Sequence, residues 1–255
     1  MIKRLIKSGW RAIVAILLFI LLWEVAVKLF QIEAWFLPAP SLIGREFLTV
    51  WPTFYPHLMS TLFLSVIGFL IGATVGLIVA MILHLFKNVR KTFYPFLILS
   101  QNIPIIVLAP LLVIWFGFGA MPKFIIITLA CFFPIAISTL SGFQQTDRNL
   151  TYYMKMMGAN KSQIFWKLEL PDAVPSIFSG LKIAATYSVM AAVVSEWLGA
   201  QEGIGVFMTI ATSSYKTPQV FVAIIITMLL SLAFFSFVLL LEKIFKRWQK
   251  KGIAS

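Results

Sequence analysis

Six apolar runs, parted by short polar or basic stretches, organise the chain: about residues 12–30, 58–86, 93–115, 124–140, 181–198 and 220–241. Each is near or above the ~20 residues an α-helix needs to cross ~30 Å of hydrocarbon. Strands left unpaired in lipid would strand their backbone donors, so the runs predict helices. The expectation is one all-α, polytopic domain over residues 1–255 with six transmembrane helices. Between the fourth and fifth runs lies one long polar segment, 142–180. Outside the membrane, the proline-bearing stretch 31–57 (Pro38, Pro40, Pro52, Pro56) predicts a short, surface-lying amphipathic helix over 42–50, capped by Ser41.

Composition narrows the class. Of 255 residues, 60% are hydrophobic and only 12% charged, about half the charged share of a soluble domain. Too little polar side chain remains to clothe a water-soluble fold. The net charge of +12, from 21 Lys+Arg against 9 Asp+Glu, would point to nucleic acid in a soluble protein. In this chain it follows the rule that basic residues crowd cytoplasmic loops, and no nucleic-acid partner is expected. Seventeen of the 21 fall on one side: Lys3, Arg4, Lys7 and Arg11; Lys87, Arg90 and Lys91; Arg148, Lys155, Lys161, Lys167 and Lys182; and Lys243, Lys246, Arg247, Lys250 and Lys251. Only Lys28, Arg45, Lys123 and Lys216 fall on the other. Both termini and the loop 142–180 are therefore expected in the cytoplasm of a bacterial cell, as a multi-pass membrane protein. The first run is nearly 20 residues long and no A-x-A site follows it, which reads as a retained signal-anchor helix. Cys131 stands alone and excludes an internal disulfide or a cysteine-based metal site.

The loop carries the most information. Residues 150–157 predict a short helix begun near Asp147 or Asn149 and broken by Gly158, a residue suited to a left-handed C-terminal position. Asn160 caps a second short helix over 161–168, and Pro171 and Pro175 are expected to stop it running on. Ile164, Phe165 and Leu168 share one face of that helix. Such an apolar knob either packs under the bundle or meets a partner.

The spacing of Gly158, Leu168 and Leu170-Pro171 resembles the cytoplasmic signature loop of ABC-importer permeases: Glu-Ala-Ala, three residues, Gly, nine residues, Ile, one residue, Leu-Pro. Here Tyr152, Tyr153 and Met154 replace Glu-Ala-Ala, and Leu168 replaces Ile. WEVAVKLF, FLPAPS, SQNIPIIVLAPLLVIWFGFG and SGLKIAAT with SEWLGAQEGIG look like the nitrate/sulfonate/taurine type. YYMKMMGA, WKLELP and AVVSEWLGA are similar to thiamine-precursor (hydroxymethylpyrimidine) permeases. The resemblance implies the type I importer permease fold, with Gly158, Ala159, Ile164, Phe165, Leu168 and Pro171 coupling to a separate cytoplasmic ATP-binding subunit in two copies. It also implies an extracytoplasmic solute-binding protein and a second permease copy, most simply a homodimer in the lipid bilayer. No G-x-x-x-x-G-K-[ST] occurs, so no cofactor is expected on this chain and ATP belongs to the partner. The chain itself is expected to be non-catalytic.

Candidate path residues are Gln101, Asn102 and Pro104 in the third run, a helix that Pro104 and Pro110 are expected to bend, and Glu196 at the outer end of the fifth. The amides either face a cavity or bond a neighbouring helix. Glu196 is either a gate or substrate contact, or it pairs with Lys216 or a backbone group. Glu24 has Lys28 one turn later to neutralise it. Gly68, Gly72 and Gly76 form overlapping G-x-x-x-G motifs that predict tight packing within the subunit or a sliding seam. Without Lys or Arg in mid-span, a neutral or weakly cationic cargo such as an aminopyrimidine fits better than a sulfonate or nitrate. The rivals are a membrane-embedded enzyme and a stand-alone channel. The first lacks convergent groups, since only His57 and His84 are present; the second leaves the long loop without a task.

Overall fold

A computed structural model describes the backbone of residues 2–252 and the side chains of residues 10, 11 and 13–246. The basic side chains expected at Lys3, Arg4, Lys7, Arg247, Lys250 and Lys251 lie outside the described residues. Ten α-helices follow one another: α1 (Ile2–Leu29), α2 (Pro40–Leu85), α3 (Lys87–Ser100), α4 (Ile105–Phe116), α5 (Ala120–Gln144), α6 (Arg148–Met156), α7 (Lys161–Ile164), α8 (Leu170–Glu196), α9 (Ile204–Ser213) and α10 (Thr217–Gly252), with a π turn, Phe165–Glu169, between α7 and α8. No strand occurs among the described residues. Four helical stretches among them are long and apolar enough to cross a membrane, or five if the bent pair α3–α4 is one span. These five carry the second to sixth apolar runs. The first run lies in α1, which that count does not include.

One expectation about helix limits fails here. The predicted surface helix at 42–50 is instead the first part of α2, which runs 46 residues through Pro52 and Pro56. Ser41 is not its cap. Ala39 takes that place with extended backbone, Pro40 supplies the pre-set φ of a first helical residue, and Ser41 donates from N and Oγ to the Glu24 carboxylate at 3.0 and 2.8 Å. Lys28 Nζ completes this clasp 2.7 Å from Glu24, tying α1 to α2. Tertiary packing holds the proline-bearing turns helical: Phe54 is fully buried and meets Phe207 of α9 edge-on at 4.9 Å. The third run, expected as a helix bent by its prolines, turns by 98° between α3 and α4, where Pro104 lacks the donor that would carry the helix on.

Glycines set how the central helices meet. A Cβ at Gly68 would collide with Ile127, one at Gly72 would lie 2.6 Å from Cys131 Cβ, and one at Gly76 would lie 3.1 Å from Ile135. The contacts step by four residues on both helices in the same sense, so α2 and α5 run parallel. On the other flank of α5, Gly142 abuts Ser176, Gly180 abuts the Pro134 carbonyl, and Cys131 Sγ lies 3.5 Å from the Ala184 carbonyl. Those contacts step in opposite senses, so α5 and α8 are antiparallel. Because α2 and α5 are parallel, the start of α5 lies at the opposite end of the bundle from the end of α2. The broken pair α3–α4 must therefore carry the chain across. The glycine motifs are thus used within the subunit, sandwiching α5 between α2 and α8. At one end of the bundle sits the loop 142–169. Lys182 of α8 pairs with Glu242 of α10 at 2.9 Å and joins the two helices, and Lys246, one turn on in α10, meets the same carboxylate at 2.6 Å.

At the opposite end Glu196, 1% exposed, closes a latch. It accepts from Thr61 Oγ1 at 2.6 Å and from the Gly205 N–H at 2.8 Å. Thr61 Oγ1 accepts from the Ile204 N–H at 2.8 Å, and His57 Nδ1 accepts from the Gly203 N–H at 3.0 Å. The first amides of α9 are thereby capped by side chains of α2 and α8. Of the alternatives open at Glu196, the structure takes the backbone partner and not Lys216. Gly203, at φ +137°, has no room for a Cβ beside that carboxylate.

Gly72→Leu is expected to lower the thermal unfolding midpoint in detergent by several degrees, because overpacking costs ~1–3 kcal/mol and each kcal/mol shifts the midpoint by about 2–4 °C at this size. Gly44→Ala, in α2 with nothing within 4 Å, should hold or slightly raise it, since alanine is the better helix former. Thr61→Val removes a donor to Glu196 and an acceptor for Ile204; hydrogen exchange should then accelerate at the amides of Ile204 and Gly205.

Candidate functional site

The loop is built by three local devices. Asp147 accepts from the Asn149 N–H at 2.8 Å and starts α6. Gly158, at φ +82°, ends it: its N–H bonds the Lys155 carbonyl at 3.0 Å and the Ala159 N–H bonds the Met154 carbonyl at 2.9 Å, the paired closure that requires a left-handed residue. Nothing crowds a Cβ there, so the demand for glycine is one of backbone alone. Asn160 and Gln163 then cap each other reciprocally, at 2.8 and 2.9 Å, to begin α7.

The second helix does not stop before Pro171, as expected. From Lys161 to Glu196 the chain is one helical stretch of 36 residues. The π turn explains the difference. Its Leu170 N–H reaches back to Phe165, and this wider turn relieves the clash that a proline ring makes with the preceding turn. Pro171 then stands in the first turn of α8 and Pro175 within it.

This geometry divides the expected coupling residues. Ile164 and Phe165 are 4% and 5% exposed and point into the bundle. The Phe165 ring lies 5.6 Å from Phe143 and 6.1 Å from His84, His84 stacks on Phe143 at 4.5 Å, and His84 Nε2 pairs with Glu169 at 2.7 Å. Of the two readings of the apolar face, packing under the bundle is the one the structure takes. Leu168, Pro171 and Ala159 are half-buried, and Gly158 is exposed. The apolar surface left uncovered is on α6 and beside it: Met156 and Met157, 85% and 84% exposed, with Tyr152, Tyr153 and Trp166. Residues 154–157, Met-Lys-Met-Met, were the sequence signal for this surface. The His84–Glu169 pair had none, as 85 residues separate its members.

The candidate path residues are not gathered. Gln101 and Asn102 are exposed in the break between α3 and α4, with Pro104 at its far side. Asn102 Nδ2 bonds the Ile98 carbonyl at 2.8 Å, within its own helix rather than across to another. Glu196 is fully engaged in the latch, and no hydrogen bond joins it to either amide among the described residues.

The arrangement comprises a carboxylate clasp at one end of the bundle, a packed helical loop with an uncovered apolar face at the other, and a helix pair bent by 98°. Comparison with known proteins names the family. The profile described as "Binding-protein-dependent transport system inner membrane component" matches residues 72–247. The chain is 34% identical to the formylaminopyrimidine transport permease protein ThiX of Halalkalibacterium halodurans, over 96% of this chain and 99% of that one. It is 29% identical to the taurine transport system permease protein TauC of Escherichia coli, over 79% of this chain and 75% of the relative. In fold it resembles a chain from a crystal structure of an amino acid ABC transporter with histidines, at a TM-score of 0.65 and 18% identity, covering 78% of this chain and 96% of that one. The chain belongs to the inner-membrane permeases of binding-protein-dependent ABC importers, and is a multi-pass bacterial membrane protein.

Proposed function

We propose that the chain forms, with a second copy of itself, the path for an aminopyrimidine related to thiamine precursors. The observation that carries this reading is the 34% identity, sustained over 96% of the chain, to a formylaminopyrimidine permease. The residues are compatible with such a cargo. The break in the third run offers neutral amides, Gln101 and Asn102, and no Lys or Arg stands in mid-span, where a sulfonate would call for positive lining. A solute-binding protein delivers the cargo at the latch end, and two ATP-binding subunits dock at the loop end. The basic-residue asymmetry supports placing that end in the cytoplasm. An aliphatic sulfonate is the second reading, favoured by the likeness to TauC.

In this reading the docking surface is the uncovered face of α6 and the turn at Gly158, and not Ile164 or Phe165. The exposed methionines fill an apolar groove on the ATP-binding subunit adaptably, as flexible thioethers do. Gly158 and the closure around it fix the angle at which α6 is presented.

Two outcomes test these assignments. Vesicles holding the full importer are expected to accumulate labelled formylaminopyrimidine or hydroxymethylpyrimidine on addition of ATP, and not taurine; uptake of taurine alone would establish the sulfonate reading. Met156→Glu with Met157→Glu should abolish co-purification of the ATP-binding subunit while leaving the permease's unfolding midpoint unchanged. Phe165→Ala should do the reverse, retaining the subunit and lowering the midpoint, at a cost of about 3–5 kcal/mol.

A further inference from the structure

Where α2 ends, at the loop end of the bundle, two cavities of opposite character meet. The first is a groove of about 650 Å³ between the last turns of α2, the face of α3 and Phe132 of α5. Its walls are Val79, Ile82, Leu83, Phe93, Phe96 and Leu97, and the one polar side chain in its lining, Ser100, is already bonded to the Leu97 carbonyl at 3.1 Å. The second is a cleft of about 550 Å³ bordered by Lys87, Asn88, Thr151, Lys155 and Lys161. Val89 lines both, so the apolar groove and the basic cleft adjoin at the start of α3. A side recess of about 270 Å³ shares Lys87, Thr151 and Lys155 and adds Arg148 and Thr146. The Thr146 hydroxyl there is shut off from solvent and has no hydrogen-bond partner.

The cations of the cleft lack ion-pair partners, although Lys155 Nζ lies 5.7 Å from the Tyr152 ring centroid. Among the described residues no carboxylate lies within 4.0 Å of Lys87, Arg148, Lys155 or Lys161. The one acid in its walls, Glu169, is held by His84 at 2.7 Å. The cleft also receives the start of α3, whose N-terminus carries no side-chain cap. An apolar slot adjoining a pocket of cations, at the level where an apolar helix stops, has the polarity of a phospholipid. The length agrees: from Val89 to Ser100, α3 rises about 16 Å at 1.5 Å per residue, half of a ~30 Å hydrocarbon core and hence one leaflet. The cations select an anionic headgroup over a zwitterionic one. A second copy of the chain is a poor occupant on charge. Its acids at this end are Glu169 and Glu242, both paired, with Asp147, which caps α6, and Asp172.

We propose that this composite site holds one anionic phospholipid, with an acyl chain in the groove and the phosphate among Lys87, Lys155 and Lys161. The lipid then bridges the α2–α3 corner to α6 and α7. With the loop end cytoplasmic, it comes from the cytoplasmic leaflet.

Native mass spectrometry of the full chain in mild detergent tests this, with phosphatidylglycerol and phosphatidylcholine of equal chain length as probes. The chain should retain one phosphatidylglycerol per copy. The triple variant Lys87→Gln, Lys155→Gln, Lys161→Gln should bind it at least about tenfold more weakly, while Lys91→Gln should bind as the parent does. Phosphatidylcholine should bind the parent no better than phosphatidylglycerol binds the triple variant. Equal retention of the two lipids, or retention untouched by the triple variant, overturns the site. Displacement by glycerol 3-phosphate would show a phosphate pocket that does not use the groove, and loss of lipid on dimerisation would give the groove to a second copy; either result refutes the proposal as stated.

Discussion

Helices in a bilayer gain little by burying apolar side chains against one another, since the lipid tails they leave are equally apolar. Close packing and backbone approach must hold them instead. In this chain the demand falls on α5, which has glycines facing it on both flanks or supplies one itself: Gly68, Gly72 and Gly76 from α2, Gly180 from α8, and its own Gly142 toward Ser176. Ile126, Ile127 and Ile135 fill the space so opened and are fully buried. Because the contacts on one side run parallel and on the other antiparallel, α5 also fixes the direction of every later crossing.

Around that slab, three carboxylates tie helices together. Glu24 with Ser41 and Lys28, Glu196 with Thr61 and Gly205, and Glu242 with Lys182 and Lys246 each join two elements. A carboxylate removed from water is costly unless it is paired or hydrogen-bonded. Each of these acids is satisfied by partners on a neighbouring element. At the break in the third run the Asn102 amide bonds the Ile98 carbonyl and remains exposed beside Gln101.

Much of this was legible in residue order, because hydropathy over ~20 residues reports span length directly and caps are local. The turn at Gly158, the cap at Asn160, the Glu24–Lys28 pair and the intrasubunit use of the glycine motifs all follow from spacings of four residues or fewer. What spacing could not show was the outcome of competition between local and distant forces. Proline marks a probable break, yet Pro52 and Pro56 remain in a helix because Phe54 is anchored on Phe207. Pro171 remains in one because a π turn precedes it. Pro104, at the 98° break, is followed by a new helix at another angle. Ile164 and Phe165 look alike in sequence whether they face a partner or the bundle; only the aromatic surroundings of Phe143 and His84 decide it.

The π turn has a mechanical consequence. Lys161 and Glu196 belong to one helical stretch, on the order of 50 Å long at 1.5 Å per residue, with the docking loop at one end and the latch at the other. Near its middle, Gly180 lies against the Pro134 carbonyl, a backbone contact without a flexible side chain to yield. The π turn, with its looser hydrogen bonding, stands between the loop and that contact. The stack of His84, Phe143 and Phe165, with Glu169 bonded to His84, braces that turn against α2 and α5. The burial of Phe165 against Phe143 is what fixes the loop to the end of α8.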